Sequence, residues 1–249
     1  REKGLWANLA NKVMDHPWKV LIPVLILLIG AGAPFLYAEF SLSSWSALPP
    51  DDESRLGKEM IDETWPEQSS NQIFLVIELD GADVFEEDNL RAQYQYIESQ
   101  ISDDRVLSAS GIGLPDSSMN ESQVVAFWQT PDEYLNETEI ALRNIIRDTF
   151  ASDDVTFIIL NLAGQQTSVA SRNVVEEIRD ERHILTDQLS GENDYLAVAG
   201  FAAYNADTLN SISENLPTAL AFIFVATFVL IFIQVRSVII PIKAIVMNI

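Results

Sequence analysis

Two uncharged apolar runs, Val20–Tyr37 and Leu216–Val235, bracket a long acidic block in this 249-residue chain. That layout excludes an ordinary soluble globule, because runs this long have no reason to avoid charge unless they leave water. The first run reaches the minimum length of a membrane helix, and its Pro23, Gly30, Gly32 and Pro34 are residues that membrane helices tolerate. The second run holds thirteen Leu, Ile, Phe or Val residues. At about −0.3 to −0.6 kcal/mol each near a helix centre, they favour insertion by several kcal/mol in total. A secretory signal is the competing reading of the first run, but the run is longer than a signal's apolar core and a second span follows it.

The formal net charge of −22 has its meaning only after division. Residues 39–215 carry −26, while residues 1–38 and 236–249 carry +2 each. Arg1, Lys3, Lys12 and Lys19 precede the first span, and Arg236 and Lys243 follow the second. By the positive-inside rule both ends face the cytoplasm and the acidic block lies outside. The expected organisation is therefore a cytoplasmic interfacial helix at 1–16, a membrane helix at 17–38, an external α+β domain at 39–215, and a membrane helix at 216–235. A cytoplasmic turn at 236–249 would lead into a third membrane helix beginning in the apolar stretch Val238–Ile249. For residues 1–16, the spacing of Leu5, Leu9 and Val13 beside Trp6 supports an amphipathic helix along the membrane surface.

Within the external block, Asp51, Asp52 and Glu53 sit where a helix dipole favours acids, ahead of an apolar face of Leu56, Met60 and Ile61. Asn71–Leu79 reads as a strand closed by Asp80-Gly81, and Leu90, Tyr94, Ile97 and Ile101 mark one face of a helix over 84–102. Arg105–Ile112 and Ser122–Gln129 read as strands, Pro131 as the start of a helix with Leu135, Leu142, Ile145 and Ile146 apolar, and Val155–Asn161 as another strand. The order strand, helix, strand, then strand, helix, strand is the ferredoxin-like βαββαβ arrangement, with helices over one face of an antiparallel sheet. A charged helix over 165–190 carries only a narrow stripe of Val174, Val175, Ile178, Leu185 and Leu189. Tyr195–Ala199 is a last short strand leading through Gly200 toward the second span.

Catalytic chemistry has little to work with. Cysteine is absent, which removes disulfides, thiolate metal sites and cysteine nucleophiles, and His16 and His183 are the entire imidazole supply. The acids from Asp80 to Asp88 lack the ligand spacing of a calcium loop, so a solvated face is the expected role. No phosphate-binding glycine loop or nucleophile elbow is present. The acidic balance argues against a nucleic-acid partner. No enzyme activity, cofactor or metal is expected, and neither complete span contains an ionisable residue that could relay protons.

Four stretches carry a resemblance to a known family. They are Met14-Asp15-His16-Pro17-Trp18; Leu48-Pro49 followed by Asp52-Glu53-Ser54-Arg55-Leu56-Gly57; Val198-Ala199-Gly200 through Ala203 to Asp207; and Arg236-Ser237-Val238 with Pro241-Ile242-Lys243-Ala244 and Asn248. In these the chain resembles the second repeat of the large mycobacterial-type membrane proteins, the MMPL family of the resistance-nodulation-division transporter superfamily. The resemblance implies a fragment of a multi-pass protein of the inner or plasma membrane, in which an external porter domain sits between the first two helices of the repeat. It further implies proton-driven export of lipids or other hydrophobic or amphiphilic molecules, with the proton-carrying residues on later helices. Implied partners are membrane lipids, the amphiphilic substrate, the remaining membrane helices and the first porter domain of the parent chain; oligomeric state is left open. Gly200, Asp207, Arg236, Pro241, Lys243 and Asn248 are the motif residues, and Gly200 suits a close turn from strand to helix. Trp45, Trp65, Phe127 and Trp128 are candidates for an apolar substrate groove, against plain packing as the alternative. The rival function is a two-span sensor with an external ligand-binding domain, and a third reading is a docking module that uses the charged helix.

Overall fold

The structure is a computed structural model that describes residues 13, 15, 17–33, 42, 44–65, 71–236 and 238. It divides into two units, residues 1–40 and residues 41–249. In the first, the described element is helix α1, Pro17–Gly32, with Pro23 inside it. Its 16 residues span about 24 Å at 1.5 Å per residue. Residues 13 and 15 of the expected interfacial helix are helical, but the rest of that helix, the end of the first span and, apart from Val238, the start of a third span lie outside the described residues.

The second unit begins with a turn of 3-10 helix at Trp45–Ala47 and helix α2, Glu53–Thr64. Asp52 precedes α2 in extended conformation, and Glu53 occupies the first turn as expected. The remaining elements are strand β1 (Gln72–Glu78), helix α3 (Glu87–Ile101), strand β2 (Val106–Ser110), helix α4 (Glu121–Gln129) and helix α5 (Glu137–Phe150). After these come the two-residue strand β3 (Ala151–Ser152), β4 (Val155–Leu162), helices α6 (Val169–Asp180) and α7 (His183–Thr186), β5 (Tyr195–Gly200) and the long helix α8 (Phe201–Val235).

One antiparallel sheet organises the unit. Its order is β2-β4-β1-β5, with β3 paired to the start of β4 through the tight turn at Asp153, whose φ is 52°. Strand β1 alternates strictly, burying Ile73, Leu75 and Ile77, and its partners bury Ile158, Leu160, Leu196 and Val198. These side chains share one core with Leu90, Tyr96 and Ile97 of α3, Val174, Val175 and Ile178 of α6, and Ala202, Ala203 and Ala206 of α8. The core-facing alanines let α8 approach the sheet closely. On the opposite face Phe74, Val76, Phe157 and Ile159 are half-buried, with Phe157 packed edge-on to Phe74 and tilted against Phe150.

Three local expectations need correction. Residues 122–129 form a helix and not a strand: Asn120 accepts a hydrogen bond from the Gln123 amide while the Gln123 side chain accepts from the Asn120 amide. That capping box starts a helix whose Val124, Val125 and Trp128 are buried, and it overrides the strand preference of the Val-Val pair. The following helix starts at Glu137 and not at Pro131, since a second capping box joins Asn136 and Glu139; Pro131 leads only a turn of 3-10 helix at Asp132–Tyr134. The stretch expected as one helix over 165–190 is two, capped by Ser168 at the start and interrupted at Glu181-Arg182. The second half of the sheet is therefore built from β4, α6 and β5, later in the chain than the spacing suggested.

Candidate ligand cavity and helix junction

Helix α4 points Val124, Val125 and Trp128 into the core, and its other side carries Ala126 and Phe127 toward the start of α5. Between the two helices lies a cavity of about 330 Å³. Met119, Ala126, Phe127 and Leu135 give it apolar walls, Gln123 and Thr130 add polar atoms, and Glu139 and Arg143 bring charge. Arg143 is 4% exposed although it lies on a surface helix. Its Nη1 donates to the Thr130 carbonyl at 2.8 Å and lies 3.4 Å from the carboxylate of the exposed Asp132. The guanidinium carbon sits 6.0 Å from the Phe127 ring centroid, within cation–π reach. Nε and Nη2 are buried and find no acceptor among the described residues. Glu139 uses one carboxylate oxygen to accept from the Asn136 amide at 2.9 Å, so it is held as a helix cap.

A second cavity, about 290 Å³, lies between α3 and α6 and has a different character. There Arg105 is bracketed by Asp103 and Glu177, whose hydrogen bonds hold the guanidinium above its ordinary pKa. The Arg105 guanidinium in turn holds the Asp103 carboxyl below the usual range. Tyr96 at this cavity is pushed up to about 12, by burial first and by Glu181 second. Arg91 is likewise engaged by Glu87 and Glu121. Arg143 thus differs from these two in having buried N–H groups to spare.

The four aromatic candidates separate. Phe127 is in the cavity wall and is also packed against the core, edge-on to Trp128. Trp128, its neighbour at 5.0 Å, is core: it packs on Phe85 at 4.7 Å and its Nε1 donates to the buried Ile112 carbonyl at 2.8 Å. Trp45 is half-buried beneath Lys58, whose ammonium lies 5.3 Å from the ring. Trp65 ends α2 and is 54% exposed. Neither Trp45 nor Trp65 lines the cavity. Arg143 was not among the sequence candidates. Its signal is a charged residue three positions from both Ile140 and Ile146 on α5, and the structure buries that arginine while Leu142 and Ile145 stay exposed.

Two of the described motif residues, Gly200 and Asp207, lie where β5 passes into α8, and the third, Arg236, lies at the far end of that helix. Gly200 has φ 115° and ψ 174°, and a Cβ there would lie 2.7 Å from the Gln72 carbonyl oxygen, so only glycine fits. Asp207, two turns into α8, accepts both guanidinium nitrogens of Arg179 on α6, at 2.5 and 3.0 Å. Buried Asn205 accepts from the Leu42 amide at 3.3 Å. Arg236 closes α8 in left-handed conformation, its amide donating to the Phe232 carbonyl. Pro241, Lys243 and Asn248 lie outside the described residues.

Helix α8 is 35 residues long, about 52 Å, against roughly 30 Å of bilayer hydrocarbon. Its first turns belong to the core, Asp207 and Glu214 lie before residue 216, and the apolar remainder has no charge. Among the described residues it is the helix long and apolar enough to cross a membrane. The fold therefore defines an α+β domain whose last sheet strand continues directly into an apolar helix of membrane-spanning length.

The chain matches the MMPL family over residues 46–248, and it belongs to that family. It is 25% identical over 249 residues to the trehalose monomycolate exporter MmpL3 of Mycolicibacterium smegmatis, covering 99% of this chain and 21% of that protein. The exporter of the same name from Mycobacterium tuberculosis H37Rv is 24% identical, with 99% and 22% covered. The chain thus spans about a fifth of the length of these relatives, both of which are named as trehalose monomycolate exporters.

Proposed function

We propose that this chain is part of an exporter of lipids or other amphiphilic molecules, driven by the proton motive force. Residues 39–215 form its external porter domain, held by membrane helices at 17–38 and 216–235. The observation that carries this reading is the family match across 46–248, which includes both the sheet domain and the apolar part of α8. The names of the relatives favour export over a two-span sensor. The antiparallel order β2-β4-β1-β5, with α3 between the first two long strands and α6 between the last two, supports reading the domain as a split βαβ unit of the ferredoxin-like kind. Helices α4 and α5 are then an insertion between its halves, and they carry the cavity. The proton-carrying groups belong to other parts of the parent protein.

The test is transfer of a fluorescent phospholipid by the whole parent protein in proteoliposomes with an imposed pH gradient. Transfer that depends on the gradient and stops with a protonophore is expected. Equal transfer with and without the gradient, or none above protein-free vesicles, would overturn the reading.

A further inference from the structure

We propose that the cavity between α4 and α5 binds the oxyanion head, carboxylate or phosphate, of a single-chain anionic amphiphile, with Arg143 as the group that holds it. This rests on the exporter reading and narrows its substrate class. Arg143 is 96% buried by residue surface, with Nη1 committed to Thr130 and both Nε and Nη2 without an acceptor. A buried charged donor left unpaired is costly, and Nε with Nη2 forms the side-on fork that matches two oxygens of a carboxylate or phosphate. Arg143 lines the cavity together with Met119, Ala126, Phe127 and Leu135, apolar walls that suit an alkyl chain and not a hydrated ion. Two carboxylates oppose an incoming anion. Glu139 has one oxygen bonded to the Asn136 amide, and Asp132 is 70% exposed, so solvent weakens its claim on the guanidinium. The acidic balance of residues 39–215 gives an anionic headgroup little reason to adsorb elsewhere on this domain, so a buried cation is the selective place for it.

The experiment uses the full chain in phosphatidylcholine nanodiscs, a diazirine-bearing dodecanoate, and the same chain ending in an alcohol. Labelled peptides are mapped by mass spectrometry. Dodecanoate is expected to label peptides within 119–143 with at least about tenfold higher affinity than the alcohol, as for a hydrogen bond to a charged group. Arg143→Met should remove that preference while the alcohol binds as before, and Asp132→Asn, which keeps the arginine, should tighten dodecanoate. Acetate and inorganic phosphate should fail to compete; if they displace dodecanoate at its own concentration, the site takes free anions and the proposal falls. Equal labelling by acid and alcohol, or an Asp132→Asn variant with unchanged affinity, overturns the headgroup assignment and leaves the exporter reading standing. No labelling within 119–143 by either probe overturns the cavity as a lipid site, whatever the outcome of the transfer assay.

Discussion

Replacing Gly200 by alanine should loosen the edge of the sheet where the domain passes into α8. The glycine has φ 115° and ψ 174°, a region that side chains avoid at a cost of about 1–3 kcal/mol. The added methyl would also lie 2.7 Å from the Gln72 carbonyl oxygen and 3.1 Å from the Ile73 Cα, both backbone atoms of the partner strand. Relieving that contact disturbs the Ile73–Gly200 pair, at a further cost of about 1–3 kcal/mol typical of overpacking. A total near 3 kcal/mol is a large share of the roughly 5–15 kcal/mol that holds a domain together. Amide hydrogen exchange reads it directly, because openings of β5 and β1 would become roughly a hundredfold more frequent. Gly57→Ala is the control, since a Cβ there meets nothing within 4 Å and the residue lies inside α2. Exchange of 72–78 and 195–200 within twofold of wild type in Gly200→Ala would refute the reasoning.

Trp128→Phe should destabilise the domain by about 1–3 kcal/mol, because the buried Ile112 carbonyl loses its indole donor; an unchanged urea midpoint would contradict the assignment of Trp128 to the core. The phenol of Tyr96 predicts an alkaline limb. Its folded pKa is pushed up to about 12 from an ordinary value of 10, so its stabilising effect is complete below pH 10 and is lost as pH rises toward 12. The loss totals on the order of 2–3 kcal/mol. Tyr96→Phe should flatten the fall in unfolding free energy between pH 10 and 12, and an unchanged slope would count against it.

How much of this was legible depended on whether one signal dominated a segment. The run NQIFLVIEL leaves no alternative to a buried strand, and the i, i+4, i+7 spacing of Leu90, Tyr94 and Ile97 fits the helix that forms. Around 120–137 two signals compete. Val124-Val125 favours a strand, while Asn120 and Gln123 can cap a helix only if the chain turns there, and tertiary burial of Trp128 decides for the helix. The same competition at Asn136-Glu139 moved the start of α5 and turned its face, exposing Leu142 and burying Arg143. Phe127 could be picked out by its aromatic character. Arg143 could not, because one arginine on an amphipathic helix reads as solvated until its neighbours are known.

The most direct test of the central claim, an acidic domain held outside the membrane, uses the absence of cysteine from these 249 residues. Single cysteines at Ser118, in the exposed loop before α4, and at Ser237, after the second span, can be probed in intact cells with a membrane-impermeant maleimide. Labelling at 118 in intact cells, with 237 reacting only after permeabilisation, is the predicted result. Protection at 118 together with reactivity at 237 would place the domain on the cytoplasmic side and contradict the account.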